Sequence, residues 1–310
     1  MKIIRGIHNL PMSLKGCVLT MGNFDGVHLG HQSLIAHLKQ AKQHYNLPTV
    51  VMIFEPQPLE YFQPDNAPAR LTSFQEKYYQ LQQLHIDYLL CIPFNHQVAM
   101  LSPDDFVQQW LINQLQAHYI IVGDDFAFGR KREGDIALLA HYAKAGHFAL
   151  NSLPTYYYQG QRVSSTAIRQ ALSLSQFDLA QQLLGRPYTI CGKVIHGNAL
   201  ARQLGFPTAN IQLHRLKPAL HGVYQVEVVN QANNNSYQGI ANIGVRPTID
   251  GKCATLEVNI FDFNQDIYGQ YLTVHFKKKI RNEKKFASVD ELKQQIAQDV
   301  CIARNISAKF

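Results

Sequence analysis

Apolar positions in the first half of the chain come in solid runs, and those in the second half alternate. Thr49-Val50-Val51-Met52-Ile53-Phe54, Tyr88 to Ile92 and Tyr119 to Gly123 are apolar at nearly every position, the pattern of parallel strands buried on both faces. Helical segments lie between them, Ser73 to Leu84 and Pro103 to Gln116, and a short strand, Phe148 to Leu153, follows another helical stretch. This alternation predicts a Rossmann-like, doubly wound parallel sheet with helices on both faces. Beyond Gly185-Arg186-Pro187 the pattern changes. Tyr188 to Ile195, Val223 to Val229, Tyr237 to Ile243, Leu256 to Phe263 and Tyr271 to Phe276 read as strands, with Leu256, Val258 and Ile260 on one face and Leu272, Val274 and Phe276 on another. Turns such as Asn233-Asn234-Asn235 separate them, so a small antiparallel β-barrel is predicted. A helix closes the chain: Ser288-Val289-Asp290-Glu291 is a capping box, and Leu292, Ile296, Val300 and Ala303 form one apolar stripe. The reading is α/β plus β, with domains 1–185 and 186–310.

Ligands of doubly wound sheets bind beyond the carboxyl ends of strands. Phe54-Glu55-Pro56, Gly123-Asp124-Asp125-Phe126 and the run Met21-Gly22-Asn23-Phe24-Asp25-Gly26-Val27-His28-Leu29-Gly30-His31 all sit at such ends. The last run reads as strand, glycine-rich turn and helix. Gly22, Gly26 and Gly30 permit close backbone approach or positive φ, and N–H groups at a helix start suit phosphate. His28 and His31 are three residues apart, so both imidazoles can face one point in the first turn and stabilise charge in phosphoryl transfer. The run is neither a dinucleotide fingerprint nor a Walker A loop.

Composition narrows the class. The chain has 310 residues, is 46% hydrophobic and only 16% charged, which fits packed domains and not disorder. No apolar run reaches membrane-spanning length, and the N-terminus lacks a signal-peptide pattern, so the cytoplasm is expected. Cys17, Cys91, Cys191, Cys253 and Cys301 are scattered with no CxxC spacing, as reduced thiols are. The net charge of +7 suits anionic small ligands. The one dense basic run, Lys277 to Lys285, lacks a stacking array of aromatics, so no nucleic-acid partner and no membrane partner is expected.

The GNFDGVHLGH run resembles the HxGH signature of the bifunctional riboflavin kinase/FAD synthetases. Phe54-Glu55-Pro56, Arg70-Leu71-Thr72, Val122-Gly123-Asp124-Asp125-Phe126 and Val163-Ser164-Ser165-Thr166-Ala167-Ile168-Arg169 follow in that family's order. In the second half, Gly205-Phe206-Pro207-Thr208-Ala209-Asn210 is similar to the kinase signature, with His196-Gly197-Asn198, Arg202, Asn242 to Thr248 and Thr255-Leu256-Glu257-Val258-Asn259. The resemblance implies an N-terminal FMN adenylyltransferase and a C-terminal riboflavin kinase, with ATP, Mg²⁺ and flavins as small-molecule partners. It implies that Gly22, Asn23, Phe24, Asp25, Gly26, Asp125, Ser164, Ser165 and Thr166 bind the nucleotide of adenylylation, with His28, His31 and Arg169 in its chemistry. For the kinase it implies Gly197, Arg202 and Gly205 at the nucleotide, Thr208 and Asn210 at the metal, and Glu257 as base. Across the whole chain it implies Phe62, Arg281 and Phe286 as flavin-binding residues. Gln57, Ala127 and Ala201 stand where the family often has histidine, arginine and glycine. The other readings are a homologue with one of the two activities and a non-catalytic flavin-binding regulator.

Overall fold

The computed structural model describes residues 1–197, 204–215, 217–248 and 251–307, with side chains described outside 245–248, 251–253 and 306–307. The chain divides into two compact units. One is Met1–Pro68 with Lys77–Ser164; the other is Ala69–Glu76 with the chain from Ser165 onward.

The first unit is a parallel six-stranded sheet in the order β1-β4-β3-β2-β5-β6. The strands are β1 (Lys2–Arg5), β2 (Cys17–Met21), β3 (Thr49–Glu55), β4 (Tyr88–Pro93), β5 (Ala117–Gly123) and β6 (Ala149–Leu153). Every residue of β2 is buried, as expected of a strand covered by helices on both faces. From β2 the chain builds outward through β3 and β4, then crosses to β5 and β6 on the other side. The order therefore reverses beside β2, and the glycine-rich run leaves the sheet at this switch point. Strand β1 is an edge strand that the apolar pattern did not predict; with Lys2 and Arg5 at its ends it has no solid apolar run. The helix predicted over Pro103 to Gln116 starts as a capped turn, Pro103–Asp105, with the Asp105 N–H donating to Ser102 Oγ at 3.0 Å. It continues over Phe106–Gln114 with π-helical winding that buries Phe106, Val107, Trp110 and Leu111. A small hairpin, β7 (Tyr157–Tyr158) and β8 (Gln161–Arg162), follows the sheet.

The second unit is a closed barrel in the order β10-β13-β12-β11-β14-β9, formed by β9 (Thr189–Ile195), β10 (Ala209–Ile211), β11 (Gly222–Asn230), β12 (Ser236–Thr248), β13 (Gly251–Ile260) and β14 (Tyr271–Arg281). Closure removes free sheet edges. The predicted alternation holds: Leu256, Val258, Leu272, Val274 and Phe276 are buried together with Val226 and Val228. Strand β10 pairs with both β13 and β9 and so closes the barrel; three residues are too few for periodicity to reveal. The basic run falls largely on β14, where Lys277 pairs with Glu227 at 2.8 Å and the Lys279 ammonium lies 5.7 Å from the Tyr224 ring centre. The terminal helix, Val289–Ser307, is capped at Ser288, whose Oγ accepts from the Glu291 N–H at 3.2 Å. The Glu291 carboxylate accepts from the Ala287 N–H, one residue earlier than a reciprocal box requires. Helices Ser165–Ser173 and Phe177–Leu184 belong to this unit.

Candidate functional site

Strand register creates the site in the barrel unit. Asn210 of β10 is paired with Glu257 of β13, and Glu257 with Asn242 of β12. Directly opposed residues point to the same face, so these three side chains form one row across three strands. Their neighbours Leu256, Val258, Ala241 and Ile243 are fully buried. The row therefore lies on the outside of the barrel, one pleat from its core. It faces a cavity of about 250 Å³ that is also lined by Leu292 and Ile296 of the terminal helix and by Arg281 and Phe286. Thr208 and Asn210 also line a second cavity, of about 410 Å³, with Gly197, Pro207, Asp266 and Tyr268. The two oxygen-bearing side chains thus stand where the apolar and the polar cavity adjoin. Thr208 and Asn210, two residues apart, line both cavities.

Local contacts fix this arrangement. Asn259 Nδ2 donates to the Pro207 carbonyl at 2.7 Å, tying the loop before β10 to β13. A side chain at Gly197 would collide with the Asn210 amide, so glycine there is a condition of where Asn210 sits. Gly205 has φ of 90°, which suits glycine. His196 stacks on Tyr268 with ring centres 3.8 Å apart. Arg281 is held by Asp299, its Nε donating at 3.0 and 2.9 Å to the two carboxylate oxygens and its Nη2 lying 2.8 Å from Oδ2. Gln295 donates to the same carboxylate at 3.0 Å, and the Arg281 guanidinium lies 5.7 Å from the Phe286 ring centre. Arg202, with Asn198 and Ala201, lies outside the described residues. Two polar wall residues gain a place from the structure: Asn242, noted in the sequence only as the start of a matching run, and the buried Asp299, a polar break within the apolar stripe.

In the sheet unit, His28 and His31 are brought together. Their rings stack with centres 3.6 Å apart and 17° between planes, and Phe24 lies 4.8 Å from His31. His28 caps the helix Leu29–Tyr45, its Nδ1 accepting from the His31 N–H at 3.3 Å. An accepting Nδ1 carries no hydrogen, so neutral His28 presents Nε2 as its donor. The three glycines do different work. Only Gly26 has positive φ, at 83°, and the other left-handed positions fall on Phe24 and Val27, at 48° and 41°. Such conformations cost a non-glycine residue roughly 1–2 kcal/mol, so the buried surroundings of this turn enforce its shape. At Gly30 a Cβ would sit 3.2 Å from the His28 ring; the missing side chain leaves room for the imidazole. Asp25 is buried and Asn23 exposed.

At the end of β5, Asp125 is exposed and takes Arg162 Nη2 at 3.3 Å, while Asp124 accepts from the Thr155 N–H at 3.0 Å. Gln57 precedes the short helix Pro58–Phe62, its N–H donating to Glu60 Oε2 at 3.0 Å. Phe62 is 57% exposed and lies 5.3 Å from Tyr61 and 5.7 Å from Phe94. It therefore stands in an aromatic cluster of the sheet unit. Ser165 and Thr166 open the helix Ser165–Ser173 of the barrel unit, whose Arg169 donates from Nε to the Ala69 carbonyl at 2.5 Å. Ser164 closes the other unit.

Residues 10–167 match the family model described as FAD synthetase, and residues 184–307 match that described as riboflavin kinase. The chain is 48% identical to the bifunctional riboflavin kinase/FMN adenylyltransferase of Haemophilus influenzae over 98% of both chains. It is 48% identical to the Escherichia coli protein of the same name, covering 98% of this chain and 97% of that one, and 46% identical to the Pseudomonas fluorescens protein, covering 99% and 98%. A crystal structure of a protein named a macrolide-efflux protein, from Streptococcus pneumoniae, aligns with a TM-score of 0.76 at 32% identity over 98% of this chain and 99% of that one. That name is the other protein's own; the likeness shows the same architecture over the full length, and no described helix of this chain is long and apolar enough to cross a membrane. With both family models matched in order and close relatives matched end to end, the chain belongs to the bifunctional riboflavin kinase/FMN adenylyltransferase family.

Proposed function

We propose that the chain phosphorylates riboflavin with ATP to give FMN and ADP, and transfers AMP from a second ATP to FMN to give FAD and pyrophosphate. The observation that carries the kinase reading is the row Asn210, Glu257 and Asn242 facing the cavity lined by Arg281, Phe286 and the terminal helix. The activities divide at 185/186 in sequence, and the cytoplasm is the proposed location, supported by the free thiols of Cys17, Cys91, Cys191 and Cys301.

Riboflavin occupies the apolar cavity against Phe286 and Arg281. ATP occupies the adjoining polar cavity, beside Gly197 and, by resemblance, Arg202 and Gly205. Glu257 is half-buried on the cavity wall, and its carboxylate accepts the 5′-hydroxyl proton as that oxygen attacks the γ-phosphorus. Thr208 and Asn210 supply hard oxygen donors between the cavities, the set magnesium prefers, and the bound ion would neutralise phosphate charge. Asn210 and Asn242 flank Glu257 and orient it.

For adenylylation, FMN phosphate attacks the α-phosphorus directly, so alignment and charge stabilisation are what the protein supplies. His28 donates from Nε2 and His31 assists it. Gly22, Asn23, Phe24, Asp25 and Gly26 form the turn that receives the nucleotide, with Asp125 as a further contact. Ser164, Ser165 and Thr166 bind phosphate oxygens and Arg169 counters the pyrophosphate charge. Phe62 offers the flavin ring an exposed aromatic face.

Purified protein incubated with riboflavin, ATP and Mg²⁺ should yield both FMN and FAD on chromatographic separation. In Glu257→Gln the FMN-forming turnover should fall by roughly 10²–10⁴-fold, with adenylylation of supplied FMN retained. A variant that melts normally and phosphorylates riboflavin at the parent rate removes Glu257 from the mechanism.

A further inference from the structure

The compact unit that contains the barrel also contains eight residues from the middle of the other family region, Ala69–Glu76. This strap is buried: Arg70, Leu71, Thr72, Ser73 and Glu76 are all less than 8% exposed. What holds it is Arg215, which lies within the kinase-matching region and is itself buried. Arg215 Nη2 donates to Glu76 Oε2 at 2.5 Å. Its Nη1 donates to the carbonyls of Leu71 at 3.2 Å and Arg70 at 3.4 Å. The Tyr188 hydroxyl donates to the Leu71 carbonyl at 3.3 Å, and the Arg70 N–H to the Lys217 carbonyl at 2.9 Å. Glu76 also accepts from the Cys191 N–H at 2.7 Å and the Ser73 N–H at 2.6 Å. At its other end the strap offers the Ala69 carbonyl to Arg169 Nε at 2.5 Å.

We propose that Glu76 and Arg215 are positioning residues for adenylylation, acting through the strap on Arg169. A buried ion pair with its remaining hydrogen-bonding groups satisfied is a stiff element, because either partner left alone is an uncompensated buried charge. The pair fixes the backbone of Arg70 and Leu71, and through it the Ala69 carbonyl that orients the Arg169 guanidinium. A substitution inside the kinase region therefore alters the other reaction. The inference rests on the role of Arg169 in adenylylation given above, so the test includes Arg169 itself.

The measurements are FMN adenylylation, its reverse from FAD and pyrophosphate, and riboflavin phosphorylation, on one preparation of full-length protein. Arg169→Ala should lower adenylylation; if it does not, the reading of Arg169 fails whatever Arg215 does. Arg215→Met combined with Glu76→Gln removes both charges together. It should lower adenylylation roughly tenfold to a hundredfold, the scale of an ångström-sized misplacement. In the reverse reaction the KM for pyrophosphate should rise more than that for FAD, with phosphorylation within about twofold of the parent. Adding the pair to Arg169→Ala should cause no further loss, as expected if both act through one group. Should the double variant not fold, Arg215→Lys carries the same test, since it keeps the charge and loses the fork to the strap carbonyls. Equal loss of both activities, a fall in adenylylation with unchanged KM for pyrophosphate, or an additive loss on the Arg169→Ala background overturns the proposal.

Discussion

Gly197→Ala is the smallest change that tests the barrel site. The added methyl collides with Nδ2, Cγ and Oδ1 of Asn210, and with no other residue among its nearest neighbours. The colliding group is a side-chain end, so the barrel core need not move, but the amide must rotate or withdraw. An off-rotamer side chain costs about 0.5–1.5 kcal/mol, and overpacking by one methyl about 1–3 kcal/mol. A loss near 1 kcal/mol lowers the melting temperature by roughly 2–4 °C for a protein of this size. Activity should suffer far more than stability. Asn210 is the proposed metal-facing side chain in register with Glu257, and a misplacement of about 1 Å near reacting groups costs roughly 10²-fold. The expected result is a fall in kcat for FMN formation of about 10- to 100-fold, partly relieved by added Mg²⁺, with adenylylation of supplied FMN unchanged. Steady-state assays across a magnesium titration, beside a thermal melt, provide the check. Kinase turnover within about twofold of the parent at every magnesium concentration would show that the position of Asn210 does not matter to phosphorylation.

Three further outcomes follow, two from the sheet unit and one from the barrel unit. His28→Ala should lose about 1 kcal/mol through the missing cap and about 10²–10³-fold in adenylylation, whereas His28→Asn should restore the melt and not the rate. If asparagine restores the rate, the imidazole acts only as a cap. Asp87 takes Lys42 Nζ at 2.7 Å and both the N–H and the hydroxyl of Thr49 at 2.9 Å. Burial alone would raise its pKa; Lys42 and Thr49 outweigh that and hold it below the usual carboxylate value. The stability this contributes is present above the unfolded carboxylate pKa, near 4, and lost as pH falls through the depressed folded value. Asp87→Asn should thus cost about 1 kcal/mol at about pH 7, allowing for solvent screening, and the two melts should converge in acid; a gap that does not narrow refutes the linkage. Arg281 depends on Asp299 for its orientation, so Asp299→Asn should raise the KM for riboflavin several-fold with little change in kcat, and an unchanged KM would free Arg281 from that wall.

Much of this was legible because strands announce themselves through the period of their buried faces. The solid run of β3 and the alternation of β13 have no other economical reading, and Glu257 lies opposite Leu256 and Val258 wherever the strand is placed. What stayed hidden depends on pairing. Asn242 was legible as the start of the run to Thr248, but its place beside Glu257 follows only from the register of β12 against β13. Strand β10 is too short to show a period, and β1 is defined by its neighbour β4 more than by its own residues. The glycine-rich turn was legible as a turn, but nothing in the residue types indicated that Phe24 and Val27 would take two of its positive φ angles. Residue type gives a propensity, and burial of both side chains overrides it. No local signal indicated that Ala69–Glu76 would cluster with the barrel, since its partners Arg215, Tyr188 and Cys191 are more than a hundred positions away.

The outward row of Asn210, Glu257 and Asn242 gives strand β13 a reading frame of two. Its odd members, Glu257 and Asn259, face the cavity beneath the terminal helix, and its even members, Leu256, Val258 and Ile260, are buried on the other face. Inserting or deleting one residue within the strand would exchange the two sets, sending a carboxylate into a solid apolar interior and presenting valine to the cavity. Inserting two would restore both. Length variation in this strand is therefore survivable only in even steps, and a family alignment should show gaps there in pairs or confined to the turns.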